Sequence, residues 1–118
     1  MAKTLFILND PPYGTERSYN ALRLAGSLAR RPDEEVKIFL MGDAASCAKA
    51  NQKVPQGYYN VELMLKGPAT RHGVEVGVCG TCMDARGMAD GELTEGTKRG
   101  TLSQLTDWTS WADKALVF

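Results

Sequence analysis

The sequence predicts an α/β sandwich built on a mostly parallel sheet. Two observations lead there. Short apolar runs without helical spacing, Thr4-Leu5-Phe6-Ile7-Leu8 and Val36-Lys37-Ile38-Phe39-Leu40-Met41 among them, suit strands buried on both faces, as parallel sheets require. Between such runs lie segments with helical periodicity and recognisable ends, so strand and helix alternate along the chain.

In order, Thr4–Leu8 is the first strand and Asn9–Thr15 a turn-rich loop with two prolines and a glycine. Thr15 is placed to cap a helix over Glu16–Arg30, with Ala21, Leu22, Leu24, Ala25 and Leu28 as its apolar stripe. Arg30 and Arg31 suit the negative end of that helix, and Pro32 stops it. Val36–Met41 is the second strand, and Gly42-Asp43 leads into a small-residue helix over Ala44–Ala50. Asn51–Tyr59 reads as a loop. Asn60 is placed to cap a helix over Val61–Arg71, which Gly67-Pro68 is expected to break or kink. Val74–Val78 is the third strand, and Thr81–Ala85 starts a helix closed by Gly87. Met88–Gly100 reads as a loop near the active site. Thr101 or Ser103 caps a last helix through Trp111, with Leu102, Leu105, Trp108 and Trp111 on one face. Ala115–Phe118 is a final short strand. No repeat or linker divides the chain, so residues 1–118 are expected to form one domain.

Composition narrows the function classes. Fourteen basic residues balance fourteen acidic ones, so net charge gives no argument for a nucleic-acid or membrane-surface partner. No apolar run approaches the roughly 20 residues that cross a bilayer. The N-terminal residues lack the pattern of a signal peptide, which makes the reducing cytoplasm the expected compartment. Three cysteines cannot form a fully paired disulfide framework.

The chemistry concentrates at Val76-Gly77-Val78-Cys79-Gly80-Thr81-Cys82-Met83-Asp84-Ala85-Arg86-Gly87. It reads as a strand running through a Cys-Gly-Thr-Cys pair into a helix. Backbone amides at a helix start favour a thiolate, the reactive form of cysteine. Cys79 is therefore the candidate nucleophile, set against the duller reading of a buried small hydrophobe. Cys82, one turn on, either resolves a bond at Cys79 or packs beneath the helix. Arg86 holds an anionic sulfur species or a carboxylate, and Asp84 complements the helix start. Cys47, in an alanine-rich stretch, reads as core, and His72 as a helix-end residue. One CxxC supplies two of the four ligands of a structural zinc, and neither Cys47 nor His72 has a matching spacing, so no metal is expected. Tyr13-Gly14-Thr15 resembles an anion-cradling turn. Without GxGxxG or Walker patterns, no nucleotide or other cofactor is expected. In open α/β sheets ligands bind at the carboxyl ends of the strands, where the Asn9–Thr15 loop and the Cys79–Cys82 turn are expected to meet.

These segments together are similar to a known family. Leu5-Phe6-Ile7-Leu8-Asn9 with Pro12-Tyr13-Gly14-Thr15, His72-Gly73-Val74, Val78-Cys79 with Arg86-Gly87, and Ala112-Asp113-Lys114-Ala115-Leu116-Val117-Phe118 resemble the DsrE/DsrF/TusD sulfur-relay family across the whole chain. The Cys79-Gly80-Thr81-Cys82-Met83-Asp84-Ala85-Arg86-Gly87 segment is similar to its YchN-like branch. The resemblance implies a three-layer sandwich around a five-stranded, largely parallel sheet. It implies a homo-oligomer, trimer or hexamer, working with sulfur donor and acceptor proteins. By position the family's persulfide-bearing cysteine falls on Cys79, while Cys82 has no counterpart in most members. The implied function is a cytoplasmic sulfur carrier with Cys79 and Cys82 as catalytic candidates and Tyr13, Gly14, Gly80, Thr81 and Arg86 lining the site. The CxxC spacing leaves a thiol–disulfide oxidoreductase open, and the scarcity of acid–base groups leaves a non-catalytic oligomeric binding or scaffold module.

Overall fold

A computed structural model describes all residues, 1–118. Five strands, β1 (Ala2–Leu8), β2 (Glu34–Leu40), β3 (Glu75–Cys79), β4 (Thr97–Gly100) and β5 (Lys114–Val117), form one sheet in the order β4-β3-β2-β1-β5. Every neighbouring pair is parallel. Four helices connect them: α1 (Arg17–Ala29), α2 (Val61–Arg71), α3 (Gly80–Ala85) and α4 (Leu102–Trp111). No helix is long and apolar enough to cross a membrane.

Right-handed crossovers dictate the layers. From β1 through β2 and β3 to β4 the chain steps in one direction, which puts α1, α2 and α3 on the same face. The step from β4 back to β5 runs the other way and puts α4 on the opposite face. Strand side chains alternate between these layers. Phe6, Leu8, Ile38, Leu40, Val76 and Val78 pack with Ala21, Leu22, Ala25, Val61, Leu65 and Met83 in the larger core. Leu5 and Phe39 pack with Leu105 and Trp108 of α4 in a smaller one.

Two glycines let α4 approach the sheet. A Cβ on Gly77 would stand 2.9 Å from both Gln104 Oε1 and the Phe39 ring, and one on Gly100 would meet the same two groups. Lys37 closes this layer beneath the tryptophans. Its Nζ lies 4.5 Å from the Trp111 ring centroid and 5.2 Å from that of Trp108, and it pairs with Glu75 at 3.0 Å. Trp108 is buried and Trp111 half-buried.

Several local expectations need correction. The expected loop Met88–Gly100 contains β4, whose polar Thr-Lys-Arg-Gly sequence suits an edge strand rather than a buried one. Glu16, not Thr15, occupies the N-cap of α1. The Thr15 hydroxyl still accepts weakly from the Arg17 amide at 3.4 Å. Leu24 and Leu102 are exposed, outside the stripes that bury Leu22 and Leu105. The small-residue helix is a 3₁₀ segment over Gly42–Ala48. Asn60 caps α2 as expected, its Oδ1 accepting from the Leu63 amide at 3.1 Å. The helix then continues through Gly67-Pro68 to Arg71, with the Pro68 ring over Gly26 of α1, where no side chain intervenes.

Gly77→Ala is expected to destabilise the fold by about 1–3 kcal/mol through overpacking. Gly67→Ala, in a helix with open space around it, is expected to stabilise by about 0.5–1 kcal/mol. Urea unfolding midpoints of the two variants measure both signs.

Candidate functional site

Cys79 is the last residue of β3, in register with Gly100 of β4, and the N-cap of α3. The chain leaves the sheet here, so its side chain stands at the carboxyl edge on the α4 face. Its sulfur accepts from the Cys82 amide at 3.4 Å and lies 3.3 Å from the Thr81 hydroxyl. Cys82, one turn on, is fixed from another direction: its sulfur accepts from the Gly42 amide at 3.1 Å. Gly42 holds φ +55 at the end of β2, a conformation that favours glycine.

The two thiols are therefore polarised oppositely. Burial alone would raise the Cys79 pKa. Hydrogen bonds from the Cys82 thiol, the Thr81 hydroxyl and the amides of both residues outweigh it, and the net shift is downward. Cys82 moves upward. Burial raises it, and donating its proton toward Cys79 raises it further. The Gly42 amide and the Arg86 charge only partly offset this. Cys79 is the more acidic thiol of the pair and Cys82 the less acidic. Cys47 is buried, and burial pushes it up to about 12 despite the Ser18 hydroxyl. It is a core residue without nucleophilic character at neutral pH.

Both pair cysteines open into a cavity of about 540 Å³ between the start of α3 and the start of α4. Phe39, Met41 and Leu105 give it an apolar wall, and Gly80, Thr81, Asp84, Arg99, Gly100 and Leu102 also line it. Arg99 is the residue sequence reasoning missed. From β4 its guanidinium reaches Asp90 at 2.6 Å, Asp84 at 3.0 Å and the Gly80 carbonyl at 3.1 Å. The two carboxylates raise its pKa further. One side chain thus ties the turn carrying the cysteines to the edge strand. Only the Cys79–Gly100 register brings it there, and register is invisible in a single sequence.

The other sequence candidates divide. Gly80 and Thr81 line the cavity. Arg86 does not. It binds Asp43 at 2.7 and 3.0 Å and the Cys82 carbonyl at 3.0 Å, which clamps the end of α3 to the 3₁₀ segment. Tyr13 and Gly14 lie elsewhere, because β2 stands between β1 and β3 and its end, Met41-Gly42, fills the place where the two loops were expected to meet. The Tyr13 hydroxyl donates to the Tyr59 carbonyl at 3.0 Å and accepts from the Val61 amide at 3.2 Å, holding the loop before α2. Gly14 is an exposed turn residue with φ +108. His72 is the exposed C-cap of α2. No three His, Cys, Asp or Glu side chains come together as a metal site.

Alkylation with iodoacetamide, followed by peptide mapping, is expected to modify Cys79 at lower pH than Cys82 and to spare Cys47 until the protein unfolds. Thr81→Ala removes a donor to the Cys79 sulfur, and its Cys79 alkylation profile is expected to move to higher pH.

Comparison with known proteins agrees with this architecture. The chain is 40% identical over 119 residues to protein YchN of Escherichia coli K12, spanning the whole of both chains. It is 37% identical over 116 residues to an uncharacterized protein of Methanocaldococcus jannaschii, covering 98% of this chain and 99% of that one. The crystal structure of the E. coli YchN protein matches with a TM-score of 0.92 at 39% identity over the full length of both. A protein of unknown function from Methanobacterium thermoautotrophicum shares the fold, with a TM-score of 0.70 at 13% identity over the full length of both chains. The profile of the DsrE/DsrF-like family matches residues 2–118, and the chain belongs to that family.

Proposed function

We propose that this protein is a cytoplasmic sulfur carrier that holds a persulfide on Cys79. The observation that carries the reading is the opposite polarisation of two cysteines in one cavity, with the lowered thiol at the strand end. The Cys79 thiolate attacks the outer sulfur of a donor persulfide, R–S–SH. A bond forms between Cys79 Sγ and that sulfur, the donor S–S bond breaks, and the donor leaves as a thiolate. An acceptor thiolate reverses the step by attacking the same outer sulfur and releasing Cys79. The electrons balance without a further oxidant. The Thr81 hydroxyl and Cys82 amide, which face the Cys79 sulfur, are suited to stabilising the charge left on it.

Cys82 sets a second possible fate. Attack by its thiolate on the inner sulfur forms a Cys79–Cys82 disulfide and expels hydrosulfide. The raised Cys82 pKa disfavours that step at neutral pH and favours it as pH rises. A thiol–disulfide exchange reading rests on this same pair.

The donor and acceptor are proposed to be proteins, and the carrier a homo-oligomer, trimer or hexamer. A single helix covers the α4 face, and Val117 at the end of β5 and Leu102 at the start of that helix remain 66% and 74% exposed. Apolar side chains left so bare suit burial by another subunit.

The decisive experiment is intact mass after incubation with a persulfide donor. Gain of one sulfur atom, retained in Cys82→Ser and lost in Cys79→Ser, is the expected result. A loss of two hydrogens that requires both cysteines, with no sulfur gained in either wild type or Cys82→Ser, would establish the redox reading instead. Loading of wild type is expected to slow as pH falls through the lowered Cys79 pKa, where the thiolate is protonated. In Cys82→Ser the persulfide is expected to persist longer at alkaline pH, seen as slower hydrosulfide release.

A further inference from the structure

Of the seven arginines, Arg17, Arg86 and Arg99 form ion pairs, and Arg23, Arg30, Arg31 and Arg71 form none. Three of these four unpaired cations line one groove. Arg23 and Arg30 come from α1 and its C-cap, and Arg71 from the last turn of α2. The groove has a volume of about 410 Å³, includes His72, and contains no acidic residue. The one carboxylate of α2, Glu62, is buried and accepts from the Asn51 and Gln52 amides at 3.2 and 2.9 Å, so it neutralises nothing here.

Helix-end electrostatics account for Arg30 and Arg71 being basic. They do not account for Arg23, in the body of α1. That guanidinium is pre-positioned, donating to Asn20 Oδ1 at 3.1 Å and lying 5.5 Å from the Tyr19 ring centroid. Held this way, it loses less freedom on meeting an anion. Between the cations lie apolar side chains, Met64, Pro68 and Leu63, the last 57% exposed.

We infer that the groove between α1 and α2 is a docking site for an acidic, amphipathic segment of a partner protein. Its carboxylates meet Arg23, Arg30 and Arg71, and an apolar residue covers Leu63 and Met64. Arg23 and Arg30 are seven residues apart, about 10 Å along the helix. Anchors spread over that length match several carboxylates on one segment better than a single compact anion. The groove lies on the sheet face opposite the α4 layer. Arg30 and Arg71 precede the starts of β2 and β3, whereas Cys79 stands at the end of β3. A segment docked there leaves the cysteine cavity open, so the inference stands apart from the sulfur chemistry.

The test uses the whole protein and a peptide of alternating Glu and Leu, with an alternating Gln and Leu peptide and inorganic pyrophosphate as comparisons. Amide NMR shifts map the contact, and calorimetry measures affinity. The expected result is saturable binding of the acidic peptide with shifts on α1 and α2, weakened at least about tenfold in Arg23→Gln/Arg30→Gln/Arg71→Gln. Arg31→Gln, an unpaired arginine outside the groove, is expected to change affinity less than about twofold. Far-UV circular dichroism of the exposed-residue variants checks that they remain folded. Absence of binding, shifts elsewhere, equal binding of the Gln peptide, or an equal loss in Arg31→Gln would overturn the inference. Saturation of the groove by pyrophosphate alone would overturn it in favour of a small-anion site.

Discussion

A crossover between parallel strands has one permitted hand, and the asymmetry of this molecule follows from that constraint. Three helices fall on one face because three consecutive connections step the same way. The single return step leaves α4 alone on the other. The larger face closes over a deep aliphatic core. On the smaller face the sheet must be brought close to one helix, and Gly77 and Gly100 accept Gln104 and Phe39 where side chains would have kept them apart. The cavity and the exposed Leu102 and Val117 both belong to this sparsely covered layer.

Within that cavity the chemistry comes from unequal treatment of two similar groups. Cys79 and Cys82 share a turn, yet donors converge on Cys79 while Cys82 gives its proton toward it. The separation needs neither a metal nor a histidine. It requires that α3 begin directly at the strand end, which turns the Thr81 and Cys82 donors onto Cys79; the Gly42 amide fixes the Cys82 sulfur from the side and only partly offsets the upward shift there. Arg86 and Arg99 hold the two ends of this arrangement, one against the 3₁₀ segment and the other against the edge strand.

The architecture was largely legible because strand runs such as Thr4–Leu8 are apolar on both faces and Asn60 and Thr101 are recognisable caps. β4 escaped because an edge strand pairs on one side only and can be as polar as a loop. The cysteine pair was legible as a local motif, and so was its setting at a strand end. Arg99 was not, being 20 residues beyond Cys79 in sequence and adjacent to it only through register. Tyr13 and Gly14 were assigned by proximity to a strand end, which strand order then separated from the cavity. Charge shows the same limit. A balanced total conceals that arginines from two helices collect in one groove while acids lie elsewhere.

The register of Cys79 with Gly100 also bears on motion. β4 is only four residues long and has a neighbour on one side alone. Short edge elements with exposed backbone open at the lowest free energies, well below that of global unfolding. The wall formed by Arg99, Gly100 and Leu102 is therefore the part of the cavity that yields first, while the β3 side is anchored in the sheet interior. For the carrier proposed above, peeling back one short edge widens the cavity and leaves the core and the cysteine-bearing strand in place.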